Sequence, residues 1–347
     1  MQYLNYLHTT VQFDVSPEAQ ADFAPVLGFF RHSLSESPDN DPQFVLSVAP
    51  RGDVCLDPRR TEEVDIRRSS VPEFTFSASR VREKEAVLYT NENATVRLPR
   101  HLRSVRNRVE VGMTGNAIIQ VIDLIRDLVT RHEEACGTII LHASAVVYGD
   151  EVVAIAGSKG AGKTTTLLRL LAGQEASYFT GDKLFCWSKG GRLWALPWRD
   201  WPYVGVGTLR TSPQLSAFAE RSLDLDLDGQ PAELKLLLDP DQFEQLIGAK
   251  FDVRERPIGA VVLPRISPGR RTTTFRVTDP GERLARMLQL IDRSCDTSYF
   301  AWQSLLIPDY SRVYASVAAA REVLSGLQMV RVEGELDVAV EDLVDTG

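Results

Sequence analysis

Residues able to do chemistry concentrate in one short stretch of the chain. Gly157-Ser158-Lys159-Gly160-Ala161-Gly162-Lys163-Thr164 satisfies G-x-x-x-x-G-K-[ST] at every position, and Thr165 follows. Glycines let a backbone curl until several N–H groups point at phosphate oxygens. A helix beginning at Lys163 or Thr164 aims its N-terminal dipole at the same anion. In such a cradle Lys163 supplies a point charge to the β- and γ-phosphates of ATP, and Thr164 offers a hydroxyl to magnesium. The alternative is a glycine-rich strand-to-helix turn with no ligand.

Two more residues belong to this argument. If Tyr148 pairs with Glu151 across a Gly149-Asp150 turn, His142 falls opposite Gly157. A histidine there orients a carboxylate, contacts phosphate or relays a proton; otherwise it is a core histidine satisfied by a backbone carbonyl. Asp182 lies where a βαβ path returns to the sheet, and open α/β sheets bind ligands at the carboxyl ends of their strands. It is a candidate magnesium ligand or proton acceptor for an acceptor hydroxyl, or else a turn aspartate after Gly181.

The surrounding elements are legible from periodicity. Thr138 to Tyr148 and Glu151 to Ala156 are apolar on both faces and read as a hairpin running into the glycine-rich loop. Thr164 to Leu171 reads as a helix, with Leu167, Leu168, Leu170 and Leu171 apolar. Leu184 to Trp187 and Ile258 to Leu263 read as strands, Gly281 to Ile291 as a helix and Met329 to Leu336 as a late strand. Alternation of this kind predicts α/β architecture. Upstream, Phe44 to Val48, Phe74 to Ser77, Ala86 to Thr90 and Ala94 to Leu98 read as strands, and residues 34–42 and 57–73 as loops. Apolar residues recur at helical spacing from Asn116 to His132. The expected division is a β-rich N-terminal α+β domain over 1–135 and a nucleotide-binding domain over 136–347, the two-domain count following from length.

The run Leu141-His142-Ala143-Ser144-Ala145-Val146, then Gly157 to Thr165, then Phe179-Thr180-Gly181-Asp182, resembles the HPr kinase-like group of protein and small-molecule kinases. That group is similar in its nucleotide core to phosphoenolpyruvate carboxykinases. The resemblance implies a P-loop α/β core, with His142 beside a catalytic aspartate, Lys163 and Thr164 on phosphate and Mg²⁺, and Asp182 as the second member of an Asp-Asp pair. Gly181 stands where the family has the first aspartate, and Thr165 where HPr kinases have glutamate. Both departures remove carboxylates and point away from HPr as the acceptor. The resemblance covers residues 136–190, and the rest only loosely.

Other features carry less. Asp224-Leu225-Asp226-Leu227-Asp228-Gly229 begins like an EF-hand loop, but its twelfth position is Lys235 rather than glutamate. Arg97, Arg100, Arg103, Arg106 and Arg108 either receive an acidic substrate or form a solvated surface. Trp194, Trp198, Trp201 and Tyr203 either wall an acceptor pocket or pack. Lys235 and Arg265 are downstream cations of suitable charge for phosphate, with nothing in the sequence to place them. Cys55, Cys136, Cys186 and Cys295 show no zinc-type spacing and read as reduced thiols.

The bulk numbers set limits. A net charge of −8 argues against nucleic acid and anionic membranes as partners, and 44% hydrophobic with 25% charged residues is an ordinary globular balance. The first residues do not form a secretory signal, and no apolar run approaches membrane-spanning length, so a cytoplasmic protein is expected. The reading that follows is an ATP- and Mg²⁺-dependent phosphotransferase acting on a hydroxyl of a peptide or small molecule. A homo-oligomer is compatible with it. The alternatives are a nucleotide-sensing module without turnover and an NTPase coupled to assembly.

Overall fold

The computed structural model describes residues 1–67, 75–172, 176–199, 202–210, 213–222, 226–238, 240–248, 251–267, 269–292, 310–335, 341 and 343. Two compact units emerge, one of Met1–Gly137 and one of Thr138–Asp292 with Tyr314–Gly347, Arg293–Val313 counting with the first. Both mix helices with a large sheet. Among the described residues no helix is long and apolar enough to cross a membrane.

The first unit holds strands β1 (Gln2–Tyr6), β2 (Thr9–Val15), β3 (Leu34–Ser35), β4 (Phe44–Pro50), β5 (Thr61–Arg67), β6 (Phe76–Arg82), β7 (Ala86–Thr90), β8 (Ala94–Pro99) and β9 (Asn107–Met113). They form one sheet in the order β3-β1-β2-β4-β9-β8-β7-β6-β5. Helices α1 (Gln20–Phe29) and α2 (Ile118–Cys136) belong to the same unit and contact each other. β1, β2 and α1 were not anticipated from the sequence. The expected loop over 57–73 is corrected too, because Thr61–Arg67 is a strand. Its charges hid it: Thr-Glu-Glu-Val-Asp-Ile-Arg sits at a sheet edge, where charge is tolerated, and only Ile66 is fully buried. Phe74 lies outside the described residues. α2 runs past His132 to Cys136, where Gly137 adopts φ 94° and ends it.

In the second unit the expected hairpin is present as β10 (Ile139–Tyr148) and β11 (Glu151–Ala156), with Tyr148 opposite Glu151 and the ladder closing at Ala143 opposite Ala156. α3 (Lys163–Ala172) follows the loop, then β12 (Ala176–Thr180), β13 (Lys183–Lys189) and β14 (Arg192–Pro197). The short strands β15 (Tyr203–Gly205) and β16 (Lys235–Leu237) pair with each other, and α4 (Val206–Leu209) adjoins them. β17 (Arg256–Ile266), β18 (Thr273–Arg276), α5 (Pro280–Leu290) and β19 (Gln328–Gly334) complete the site's framework. The sheet runs β11-β10-β13-β14-β17-β19-β18, and β17 pairs back onto β11, closing a circuit of strands. Leu336, expected in the last strand, lies outside the described residues.

Both faces of the hairpin are covered, which explains why it is apolar on both. Val153 and Ile155 point into a cluster with Leu167, Leu168 and Leu171 of α3, while Val152, Ala154 and Ala156 point into another with Met287 and Leu324. Each such leucine contributes about 1.5–3 kcal/mol by leaving water. The loop between β11 and α3 is thus anchored at both ends in packed structure.

Candidate functional site

Strand direction gathers the site at one edge of the second sheet. β17 runs parallel to β11, and β19 parallel to β17, so Ala156, Ile266 and Gly334 end at the same edge. β10 runs antiparallel to β11, so its His142 end returns there. β12 is antiparallel to β10, which brings Thr180 and the Gly181-Asp182 turn to that edge as well. The carboxyl ends of the parallel strands β11, β17 and β19 thus share one edge with His142 and Asp182.

The glycine-rich loop lies between β11 and α3. Gly160 at φ 82° and Gly162 at φ 104° occupy backbone space that L side chains rarely adopt. Ile266 donates its backbone N–H to Ala161 O at 3.0 Å, fastening the loop to the end of β17. Lys163 opens α3, and its Nζ donates to Gly157 O at 2.7 Å across the loop. Burial lowers the Lys163 pKa; Asp182 opposes that shift, and the positive charge of Lys235 adds to it. Thr164 is partly exposed in the first turn of α3. Thr165 instead is buried, its hydroxyl 3.1 Å from that of Thr208 in α4, so of the two hydroxyls Thr164 is the better placed for a ligand.

His142 and Asp182 meet. His142 Nδ1 lies 3.3 Å from Asp182 Oδ1, and the two side chains are 47% and 42% exposed. That exposure rules out the core-histidine alternative. The expected position opposite Gly157 is the next step of a ladder that keeps the expected register as far as Ala143 opposite Ala156; toward β13, His142 is in register with Lys183. The Asp182 turn is fixed from β10: Ser144 Oγ donates to Gly181 O at 2.6 Å, and Ala143 N–H to Asp182 O at 2.9 Å. Lys183 is drawn aside by Asp292, Nζ to Oδ2 at 2.7 Å. Ser144, buried within an apolar strand, had no chemical signal of its own.

Lys235 and Arg265, unplaced by sequence, both come near the loop. Lys235 is in register with Gly205, one turn before Thr208, which is how it reaches the field of Lys163. Arg265 lines a cavity beside Gly157–Ala161. The remaining candidates resolve as structure. Trp198 is buried against Phe185 with ring centroids 5.3 Å apart, and Trp194 lies under Lys189, so these two pack. Trp201, Asp224 and Cys295 lie outside the described residues. In the first unit Arg97 pairs with Glu83 and Glu110, and Arg108 with Glu110.

Lys163 and the Thr164 hydroxyl, at the start of α3, are the groups that a phosphate at this loop would meet. No group of three or more His, Cys, Asp or Glu able to hold a metal occurs among the described residues. Magnesium does not require one, since it commonly takes one or two carboxylates plus phosphates and water. Thr164 and Asp182 are the residues that would hold it.

No family model matches the chain, and no curated protein matches it. Among solved structures it is similar to the Hpr(Ser) kinase/phosphatase from Coxiella burnetii, at 12% identity and a TM-score of 0.23, covering 38% of this chain. The chain spans 60% of that protein's length. Likeness of that size supports no reading of function. The residues of the edge do.

Proposed function

We propose that this protein is an ATP-dependent phosphotransferase acting on a hydroxyl group, its catalytic residues being Asp182, His142 and Lys163. One observation carries the reading: His142 and Asp182 stand side by side at the same sheet edge as a glycine-rich strand-to-helix loop, with the Asp182 carboxylate in the field of the loop lysine. Gly157 to Thr165 supply backbone donors for the triphosphate, and Lys163 neutralises charge that develops during transfer. Asp182 accepts the proton of the acceptor hydroxyl, or holds the metal, while His142 fixes the direction of its carboxylate. Bound Mg²⁺ would add charge neutralisation across the β- and γ-phosphates. Phosphoryl transfer asks mainly for positioning and electrostatics, so this small set is sufficient.

The test is transfer of label from γ-labelled ATP to hydroxyl acceptors by wild type and Asp182→Ala. Transfer by the wild type that collapses in the variant, with ATP binding kept, supports the reading. Equal transfer by both removes Asp182 from the chemistry. A second reading, a nucleotide sensor, is favoured by Gly181 in place of a carboxylate; it predicts tight binding without turnover.

A further inference from the structure

Beside the loop, on the side away from β10, lies a cavity of about 520 Å³. Its lining includes the apolar Leu263, Pro264 and Ile266 at the end of β17. The same lining carries Lys159, Arg265, Arg286 and Arg331 against the one carboxylate of Glu333. Such an excess of positive charge stands out in a chain of net charge −8. The volume is that of a small-molecule site, for which roughly 300–1,000 Å³ is usual.

The lone carboxylate is already engaged. Arg331 Nη2 donates to Glu333 Oε1 at 2.8 Å, and that bond together with the charges of Arg265 and Arg270 holds the Glu333 carboxyl below its ordinary range. Arg286 places Nε and Nη2 on a single oxygen of Glu282, so its Nη1 edge is not part of that contact. Arg265 is exposed and makes no ion pair among the described residues. Guanidinium forks match planar or tetrahedral oxyanions better than any other side chain. The backbone bond from Ile266 to Ala161 fixes this cluster next to the cradle.

We propose that the cavity holds an oxyanion of the phosphate acceptor, so that the acceptor is a hydroxyl compound also bearing a carboxylate or phosphate, gripped by Arg265, Arg286 and Arg331. That the bound molecule is the acceptor rests on the phosphotransferase reading; that the cavity binds an oxyanion does not.

Inorganic phosphate is the probe. It is titrated calorimetrically at low salt into the full chain, into Lys163→Ala, into Arg265→Ala and into Arg265→Ala/Arg331→Ala. Lys163→Ala should keep the arginine-dependent phosphate site, Arg265→Ala should weaken that site by roughly tenfold, and the double variant should lose that site, leaving only binding at residues 157–165. Arg265 is exposed, and an unchanged thermal melt of its variant verifies folding. Glycerol 3-phosphate should displace the phosphate and glycerol should not. Affinities untouched by the arginine substitutions, or lost with Lys163→Ala alone, would overturn the oxyanion site. A parallel titration with MgATP separates the sources: an unchanged affinity in Arg265→Ala supports a second molecule, whereas an equal loss would mean the cavity takes the nucleotide's own phosphates and would overturn the acceptor assignment. Absence of MgATP binding by every form would sink the phosphotransferase reading while leaving the phosphate result readable.

Discussion

His142 Nδ1 and Asp182 Oδ1 stand 3.3 Å apart, joining a residue inside strand β10 to one in the turn after β12. The pairing arises because β10 contacts β12 along one part of its length and β13 along another, leaving Gly181-Asp182 folded over the junction. Neither side chain is buried, so the pair is available to a ligand. If Asp182 is the base, Asp182→Ala should lower transfer by about 10²–10⁴-fold while MgATP affinity changes little. His142→Gln, which removes only the group that directs the carboxylate, should cost less. Single-turnover transfer beside equilibrium binding measures both, and a loss of binding equal to the loss of transfer would contradict the assignment.

Ser144 acts on the same turn from below. Its hydroxyl donates to Gly181 O from a fully packed position, so Ser144→Ala leaves that carbonyl short of a partner. A stability cost of about 1 kcal/mol is expected. More telling, kcat should fall with KM for ATP nearly unchanged, and Ser144→Thr should recover part of it. Unaltered kcat would mean that the turn is held without this bond.

Gly160 offers a clean test of loop conformation. A Cβ built there meets nothing within 4 Å, so Gly160→Ala adds no clash, yet φ 82° remains unfavourable for alanine. The cost should be about 1–2 kcal/mol, relieved if the loop relaxes away from its cradle shape. Reduced nucleotide affinity with an intact melting transition is the expected pattern. Wild-type affinity would show that the positive φ is not needed for binding.

The first unit carries a pH-dependent contact. Glu133, fully buried, accepts from the His8 backbone N–H at 2.9 Å and the Thr9 hydroxyl at 2.6 Å, and faces His8 Nδ1 at 3.0 Å. The hydrogen bond to Glu133 raises the His8 pKa above 6.5, with burial opposing it. A raised pKa in the folded state means the folded chain holds this proton more tightly. The stabilisation is therefore complete below pH 6.5 and fades as pH rises through the raised value. The melting-temperature gap between wild type and His8→Gln should be widest near pH ~6 and narrow toward pH ~8.5. A gap that is constant or widens with pH would refute the contact.

Much of the second unit was legible because its signals are local. A turn of Gly149-Asp150, apolar runs on either side and a glycine-rich loop fix a hairpin, its register and the start of α3 without any tertiary knowledge. Asp182 was also reachable, since chain length returns it to the ligand edge. What could not be read depends on distant pairings. Lys235 enters the field of Lys163 from a strand paired with Gly205, far from the loop in sequence, and Arg331 shares a cavity with Lys159 with β19 lying next to β17. The Thr61–Arg67 strand was masked for a different reason: an edge strand needs few apolar residues, and Val64 and Ile66 alone do not outweigh five polar neighbours in a propensity reading.

The most direct measurement is isothermal titration of MgATP into the purified wild type and Lys163→Ala. Saturable binding by the wild type, lost in Lys163→Ala with the fold intact, is the expected result. Absence of binding by the wild type, or undiminished binding by Lys163→Ala, would contradict the claim that residues 157–165 cradle a triphosphate.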